Sequence, residues 1–311
     1  MVTLNRRSLL SLAGAGALSL SVPVVQAAPA RAGADISPVN LRVWSAGAAG
    51  SFRNIYALET ENGLVVIDAP LRKSDGAAVR AWLETLSKPI RGVLITHMHP
   101  DHNFGLTEML KGSDAPIIAT RAVAQAIRTA EDGYQQFVPN FIGDAETERD
   151  RRFPDMLVES GESVTVDGVP FSVLDQGEAE SMADSIWSTP ALPNALFSGD
   201  LVFHRVHSWV AQGATGKYLS VLDRLRREVD PATLFIAGHG GMAPASVIPR
   251  QISYLEAYRQ AVQEIAVGRP RLTEAEKQQL VQRMTTVEPS SMLAFGIAIG
   301  ADAVARELAT Q

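Results

Sequence analysis

The stretch Thr96-His97-Met98-His99-Pro100-Asp101-His102 constrains this chain more than any other. Three of the six histidines fall within six residues. They directly follow an apolar segment, residues 91–96, whose pattern predicts a short buried strand. In extended backbone alternate side chains share a face, so His97 and His99 point towards one metal ion. Asp101 and His102 lie just beyond, where the chain turns, and reach a neighbouring ion. Imidazole and carboxylate ligands suit zinc, iron or manganese. A surface histidine cluster or a helix cap is the plain alternative, and this spacing behind a strand weighs against both.

Composition narrows the classes further. The 311 residues include no cysteine, which excludes a disulfide framework, thiolate zinc sites, iron–sulfur ligation and a cysteine nucleophile. A formal charge of −6 leaves no basic footprint, so no nucleic-acid partner is expected. At 46% hydrophobic residues, the chain has enough apolar material for a large core.

The N-terminus reads as a targeting segment. Asn5-Arg6-Arg7-Ser8-Leu9-Leu10 is a twin-arginine start, followed by an apolar run and small residues suited to signal-peptidase cleavage. Residues 1–30 are therefore expected to be a twin-arginine signal peptide. The mature protein would be periplasmic or secreted, with no membrane association once the signal is removed. An uncleaved membrane anchor is the alternative, because the apolar run is almost long enough to span.

Beyond a linker at 28–38, short strands and helices mix in an order that favours a layered α/β sandwich over a doubly wound parallel sheet. A hairpin is expected around Glu61-Asn62-Gly63, joining strands at 52–60 and 64–67. Helices are expected at 75–87, 120–129, 217–228, 247–266, 274–286 and 291–308. Further strands are expected at 116–119, 163–166, 171–174, 185–188, 195–197 and 234–237. Residues 131–155, with mixed charge and two prolines, read as a long functional connection. The apolar run 291–300 is too short to span a bilayer, and reads as a buried helix or a homodimer contact.

The His-x-His-x-Asp-His pattern resembles the signature of the metallo-β-lactamase superfamily, and the likeness extends over residues 40–265. Val65-Val66-Ile67-Asp68 is similar to the early strand whose acid supports the metal loop. Leu196-Phe197-Ser198-Gly199-Asp200 resembles the strand ending in a bridging aspartate. Ile236-Ala237-Gly238-His239-Gly240-Gly241 resembles the strand and loop with the last histidine. The resemblance implies a four-layer αβ/βα sandwich, with residues 31–311 as one domain carrying a C-terminal helical extension. It also implies two divalent metal ions; zinc is favoured, with manganese or iron as alternatives.

One position departs from the pattern. The loop Gly177-Glu178-Ala179-Glu180-Ser181-Met182-Ala183-Asp184 lacks the usual middle histidine, and alignment on Asp184 puts Glu180 in its place. Alkylsulfatase-like members also use glutamate there. Glu178 is the competing choice. The implied ligands are His97, His99, Asp101, His102, Glu180, Asp200 and His239.

The implied activity is hydrolysis of a small, partly apolar ester, lactone, sulfate ester or activated aryl halide by a metal-bound hydroxide. Asp101 or Asp200 would orient the hydroxide. His207, in the loop after Asp200, is a candidate to stabilise developing charge. Phe203, Trp209, Tyr134, Phe137 and Phe141 are candidates for an apolar substrate wall or for ordinary core. An iron-dependent redox enzyme of this fold and a β-lactamase are the alternatives.

Overall fold

A computed structural model of the chain describes residues 39–310. The expected signal peptide and the linker at 28–38 lie outside the described residues. The first sheet runs in order through β1 (Asn40–Ser45), β2 (Asn54–Glu59), β3 (Leu64–Ile67), β4 (Ile90–Leu94), β5 (Ile117–Thr120) and β6 (Met156–Val158). The second contains β7 (Ser163–Val166), β8 (Val169–Gly177), β9 (Asp184–Ser188), β10 (Ala195–Gly199), β11 (Leu234–Ala237) and β12 (Ala243–Pro244), also in sequence order across the sheet.

Both sheets are mixed. In the first, β1, β2 and β3 pair antiparallel, then β3 to β6 run parallel. The antiparallel β2–β3 pair is the hairpin that the Asn-Gly turn predicts. In the second, β10 and β11 are parallel neighbours within an otherwise antiparallel sheet.

Alternation along the strands builds the layers. Tyr56, Leu58, Val65 and Ile67 face Phe171, Trp187, Phe197 and Ile236 of the opposite sheet, closing a core between the two. Ile55, Ala57, Leu64 and Val66, one residue out of step, face the other way. They pack on α1 (Lys73–Thr85) and α3 (Arg121–Ile142). Strands covered on both faces read as continuous apolar runs, as Leu64–Ile67 does.

The outer face of the second sheet is covered by α4 (Thr215–Glu228), α5 (Ile248–Ala266), α6 (Glu274–Val287) and α7 (Phe295–Ala309). The short α2 (Leu106–Met109) follows the metal-motif loop. The result is the expected four-layer sandwich. Among the described residues, no helix is long and apolar enough to cross a membrane. The apolar run at 291–300 enters α7, with Ile297, Gly300 and Ala301 buried in the chain's own core.

The largest departure from expectation is α3. The helix continues through about half of the segment read as a connection, ending at Ile142. Pro139 sits inside it, and proline offers no N–H to the carbonyl four residues earlier. That carbonyl, Gln135 O, accepts from Arg149 Nη1 at 2.8 Å instead. An arginine from the following loop thus repairs the break, and Val138 beside the proline is buried.

Candidate metal centre

Every side chain of interest leaves the sandwich at one edge. Asp68 follows β3, the histidine motif follows β4, Glu180 precedes β9, Asp200 follows β10 and His239 follows β11. Hydrogen bonds then hold the motif loop open. Asp68, at the left-handed φ of 62°, accepts from the Thr96 backbone N–H and hydroxyl, each at 2.8 Å. Asn103 Nδ2 donates to the carbonyls of Met98 and His99.

The ligand-type atoms fall into two groups. His97, His99 and Glu180 bring one atom each within 4.8 Å of one another, and so do Asp101, His102, Asp200 and His239. In the first, Glu180 Oε2 is 3.5 Å from His97 Nε2 and 3.0 Å from His99 Nδ1. In the second, His102 Nε2 is 3.3 Å from Asp200 Oδ1. His239 Nε2 is 3.1 Å from Asp101 Oδ2 and 3.2 Å from Asp200 Oδ2. The groups adjoin, with the His97 and His102 rings 3.7 Å apart between centroids.

The far sides of the imidazoles are pinned as ligating histidines require. His239 Nδ1 donates to the Ser51 carbonyl at 2.7 Å, and His102 Nδ1 lies 3.0 Å from Asp68 Oδ2. Both leave Nε2 for the cluster. His97 Nε2, His102 Nε2, Asp200 Oδ1 and both Glu180 carboxylate oxygens are buried without a hydrogen-bond partner. Buried polar atoms are rarely left unpaired. This donor set fits two divalent cations, which would pair every one of these atoms.

Electrostatics agree. Burial, with the charges of Asp200 and Asp184, pushes the Glu180 carboxyl well above its ordinary range. Burial pushes the same way on Asp200, but His239 and His102 outweigh it and hold that carboxyl well below. Burial opposes protonation of His239, yet the two aspartates raise it to about 10. Burial and His102 keep His97 well below its usual value. The acids and imidazoles thus share protons that cations would displace.

Glu178 lies elsewhere. It pairs with Lys217 and accepts from Gln212 at the surface, while Glu180 turns inward with its side chain fully covered.

His207 is a correction. Its Nδ1 is 3.0 Å from the Tyr254 hydroxyl and its Nε2 is 2.9 Å from the Ser290 carbonyl. With both nitrogens engaged away from the cavity, it ties the loop after β10 to the segment before α7. Val206 beside it packs with Leu293 and Phe203. His207 is thus placed outside the cavity lining. Phe203 stacks on His239 at 6.2 Å as part of the buried loop.

Arg53 is the residue that sequence reading missed. It is 1% exposed, with Nη2 donating to Asp68 at 2.6 Å and Nη1 3.9 Å from Asp200 Oδ1. The only sequence signal is a lone cation beside an apolar strand. Gly238 makes room for it, since a Cβ there would lie 2.2 Å from Nη1 and 2.1 Å from Asp200 Oδ1.

The two groups open on a cavity of about 350 Å³, within the range of small-molecule sites. Tyr134, Phe137 and Phe141 of α3, Trp209 and Phe295 form its apolar walls. Four of the five aromatics proposed from sequence, Tyr134, Phe137, Phe141 and Trp209, thus line this cavity, whereas Phe203 does not.

The metallo-β-lactamase superfamily model matches residues 48–239. A hydroxyacylglutathione hydrolase of Idiomarina loihiensis is 24% identical over 185 residues, 59% of this chain and 60% of that protein. The chain therefore spans less than two thirds of that relative's length. A metallo-β-lactamase family protein from Thermus thermophilus superposes with a TM-score of 0.61 at 17% identity, covering 86% of this chain and 92% of that one. A protein crystallised in a di-iron-bound form superposes at 0.53 with 21% identity, covering 67% and 97%. With the family match running from before β2 to the last histidine of the cluster, the chain belongs to the metallo-β-lactamase superfamily.

Proposed function

We propose that this protein is an exported, binuclear metal-dependent hydrolase of a small, partly apolar substrate. Esters, lactones, sulfate esters and activated aryl halides are the candidate classes. The observation that carries this reading is the pair of adjoining ligand groups, with unpaired inward atoms, on the floor of an aromatic-walled cavity. The name of the Idiomarina relative supports hydrolysis as the reaction type. Export rests on Arg6-Arg7 and the apolar run behind them.

His97, His99 and Glu180 would hold one ion, and Asp101, His102, Asp200 and His239 the other. Zinc is the favoured metal. Such ions supply Lewis-acid polarisation and lower the pKa of water to about 7. The protein residues do the rest. Asp101 is the cluster acid with access to the cavity, its side chain 19% exposed against 4% for Asp200 and none for Glu180. Its carboxylate accepts the hydrogen bond of the attacking water and aims it. The aromatic walls exclude bulk water and orient the scissile group.

The test is metal analysis followed by a panel of aryl esters, aryl sulfates, phosphates, lactones, a chlorinated aromatic nitrile and a cephalosporin. Two metal equivalents and turnover that a chelator abolishes are expected. Iron with oxygen consumption would replace this reading by the redox one. Turnover of the cephalosporin alone would make it a β-lactamase.

A further inference from the structure

The cavity's walls carry more information than its floor. On α3, Tyr134, Phe137, Val138 and Phe141 follow one another at helical spacing, forming a single stripe. On α7, Phe295, Ile299, Ala303 and Arg306 do the same. Phe137, Phe141, Phe295 and Ile299 are 46%, 43%, 38% and 40% exposed. Four large apolar side chains that remain open around one cavity mark a binding surface, since scattered exposure would need no such convergence.

The rings form a connected path. Trp209 lies 6.1 Å from His99 of the metal group, Phe295 6.4 Å from Trp209, and Phe141 5.2 Å from Phe295. Phe137 stacks 6.4 Å beyond Phe141, with the ring planes 12° apart. The α7 stripe spans twelve residues, Phe295 to Arg306, about 16 Å at helical rise. Apolar surface therefore begins at the ligand groups and continues outward along both helices.

Charge is sparse along this path. Arg306 is the one cation lining the cavity among the described residues. Asp302, one turn before it, already accepts from the Leu272 N–H and pairs with Lys277. A glutathione conjugate carries two carboxylates and an ammonium, and this lining offers them little.

Resting on the hydrolase reading above, we infer that the substrate is a carboxylic ester or lactone with an extended apolar acyl group, about six carbons or longer. The acyl chain lies between the α3 and α7 stripes with its carbonyl at the metal groups. In the reaction the oxygen of water bonds to the acyl carbon and the acyl C–O bond breaks. The water proton goes to the leaving alkoxide, yielding a carboxylic acid and an alcohol.

The experiment uses metal-replete protein and p-nitrophenyl esters from acetate to decanoate, with a hydroxyacylglutathione as comparison. KM is expected to fall at least tenfold from acetate to octanoate, while kcat changes less than threefold. In Phe295→Ala and Phe137→Ala the octanoate-to-acetate ratio of kcat/KM should collapse towards one. Ester turnover with a KM independent of chain length would overturn the inference and leave the hydrolase reading standing. So would a preference for the glutathione thioester.

Absence of turnover with every ester and lactone, in protein holding both metals, would overturn the inference, and absence of turnover across the whole panel above would overturn the hydrolase reading as well. Binding still decides the wall in that case. Octanoate should quench tryptophan fluorescence saturably, at least tenfold more tightly than acetate, and Phe295→Ala should remove the difference. Equal or absent quenching by the two acids would reject the apolar site.

Discussion

Glu180 and Arg53 are the residues on which the charge balance of the centre turns. Glu180 adds a carboxylate where an imidazole is usual, and its loop is held by Asp184, which accepts from the Ser181 N–H at 2.9 Å. Glu180→Ala should leave one metal equivalent of two, because a three-residue group loses a third of its donors. Glu178→Ala should leave both, its partners being Lys217 and Gln212 at the surface. Elemental analysis of the two purified variants decides, and the reverse pattern would reject the Glu180 assignment.

Arg53 offsets that extra charge. Asp68, Asp101, Glu180, Asp184 and Asp200 crowd this edge, and two divalent ions with one guanidinium would neutralise all five. Arg53→Met strands Asp68 and Asp200 in a buried setting, a loss of about 3–5 kcal/mol for a broken buried pair. Arg53→Lys should recover part of it. Denaturant unfolding of the metal-replete variants measures both, and a change under about 1 kcal/mol for the methionine variant would show that the pair is inert.

At the scale of elements, the motif strands were legible because burial on both faces writes a continuous apolar run, as in Leu64–Ile67 and Leu234–Ala237. The edge strands β1 and β6 were not. Their exposed residues, among them Val43, Met156 and Leu157, follow no clean alternation, and pairing with a neighbour defines them. The second half of α3 was hidden for another reason. Proline reads as a stop, and nothing local announces that Arg149 will satisfy the carbonyl it frees. The convergence of the seven candidate ligands was legible because strand ends at one sandwich edge must converge. His207 misled because adjacency to Asp200 in sequence says nothing of which way the loop turns.

Glu307 joins helix α7 to the start of α4. Glu307 accepts from the backbone N–H groups of Thr215 and Gly216 at 2.9 and 2.8 Å, capping α4 from outside, and pairs with Arg259. Glu307→Ala should cost about 2–3 kcal/mol, since bonds to a charged acceptor are among the stronger ones and α4 loses its cap. Unfolding in urea checks the value. Because α7 is also a cavity wall, KM for the octanoyl ester should rise in the same variant, and an unchanged KM would separate the cap from the wall.

For the whole molecule, the absence of cysteine suits an oxidising compartment, where stray thiols mispair. The twin-arginine route would carry the chain out already folded. Replacing Arg6 and Arg7 together by lysine should leave precursor in the cytoplasm, as cell fractionation would show. Unchanged accumulation outside would point to the ordinary secretory route.

The superfamily match ends at His239, whereas Phe295, Ile299 and Arg306 lie far beyond it on α7. The ligand groups and the α7 half of the cavity wall are thus written in separate stretches of one gene product, while the α3 half of the wall shares its stretch with the ligands. A lineage can redraw the α7 half while the ligands stay untouched, and an engineer can do likewise. Grafting residues 267–310 between relatives would exchange that half of the wall without disturbing a single ligand.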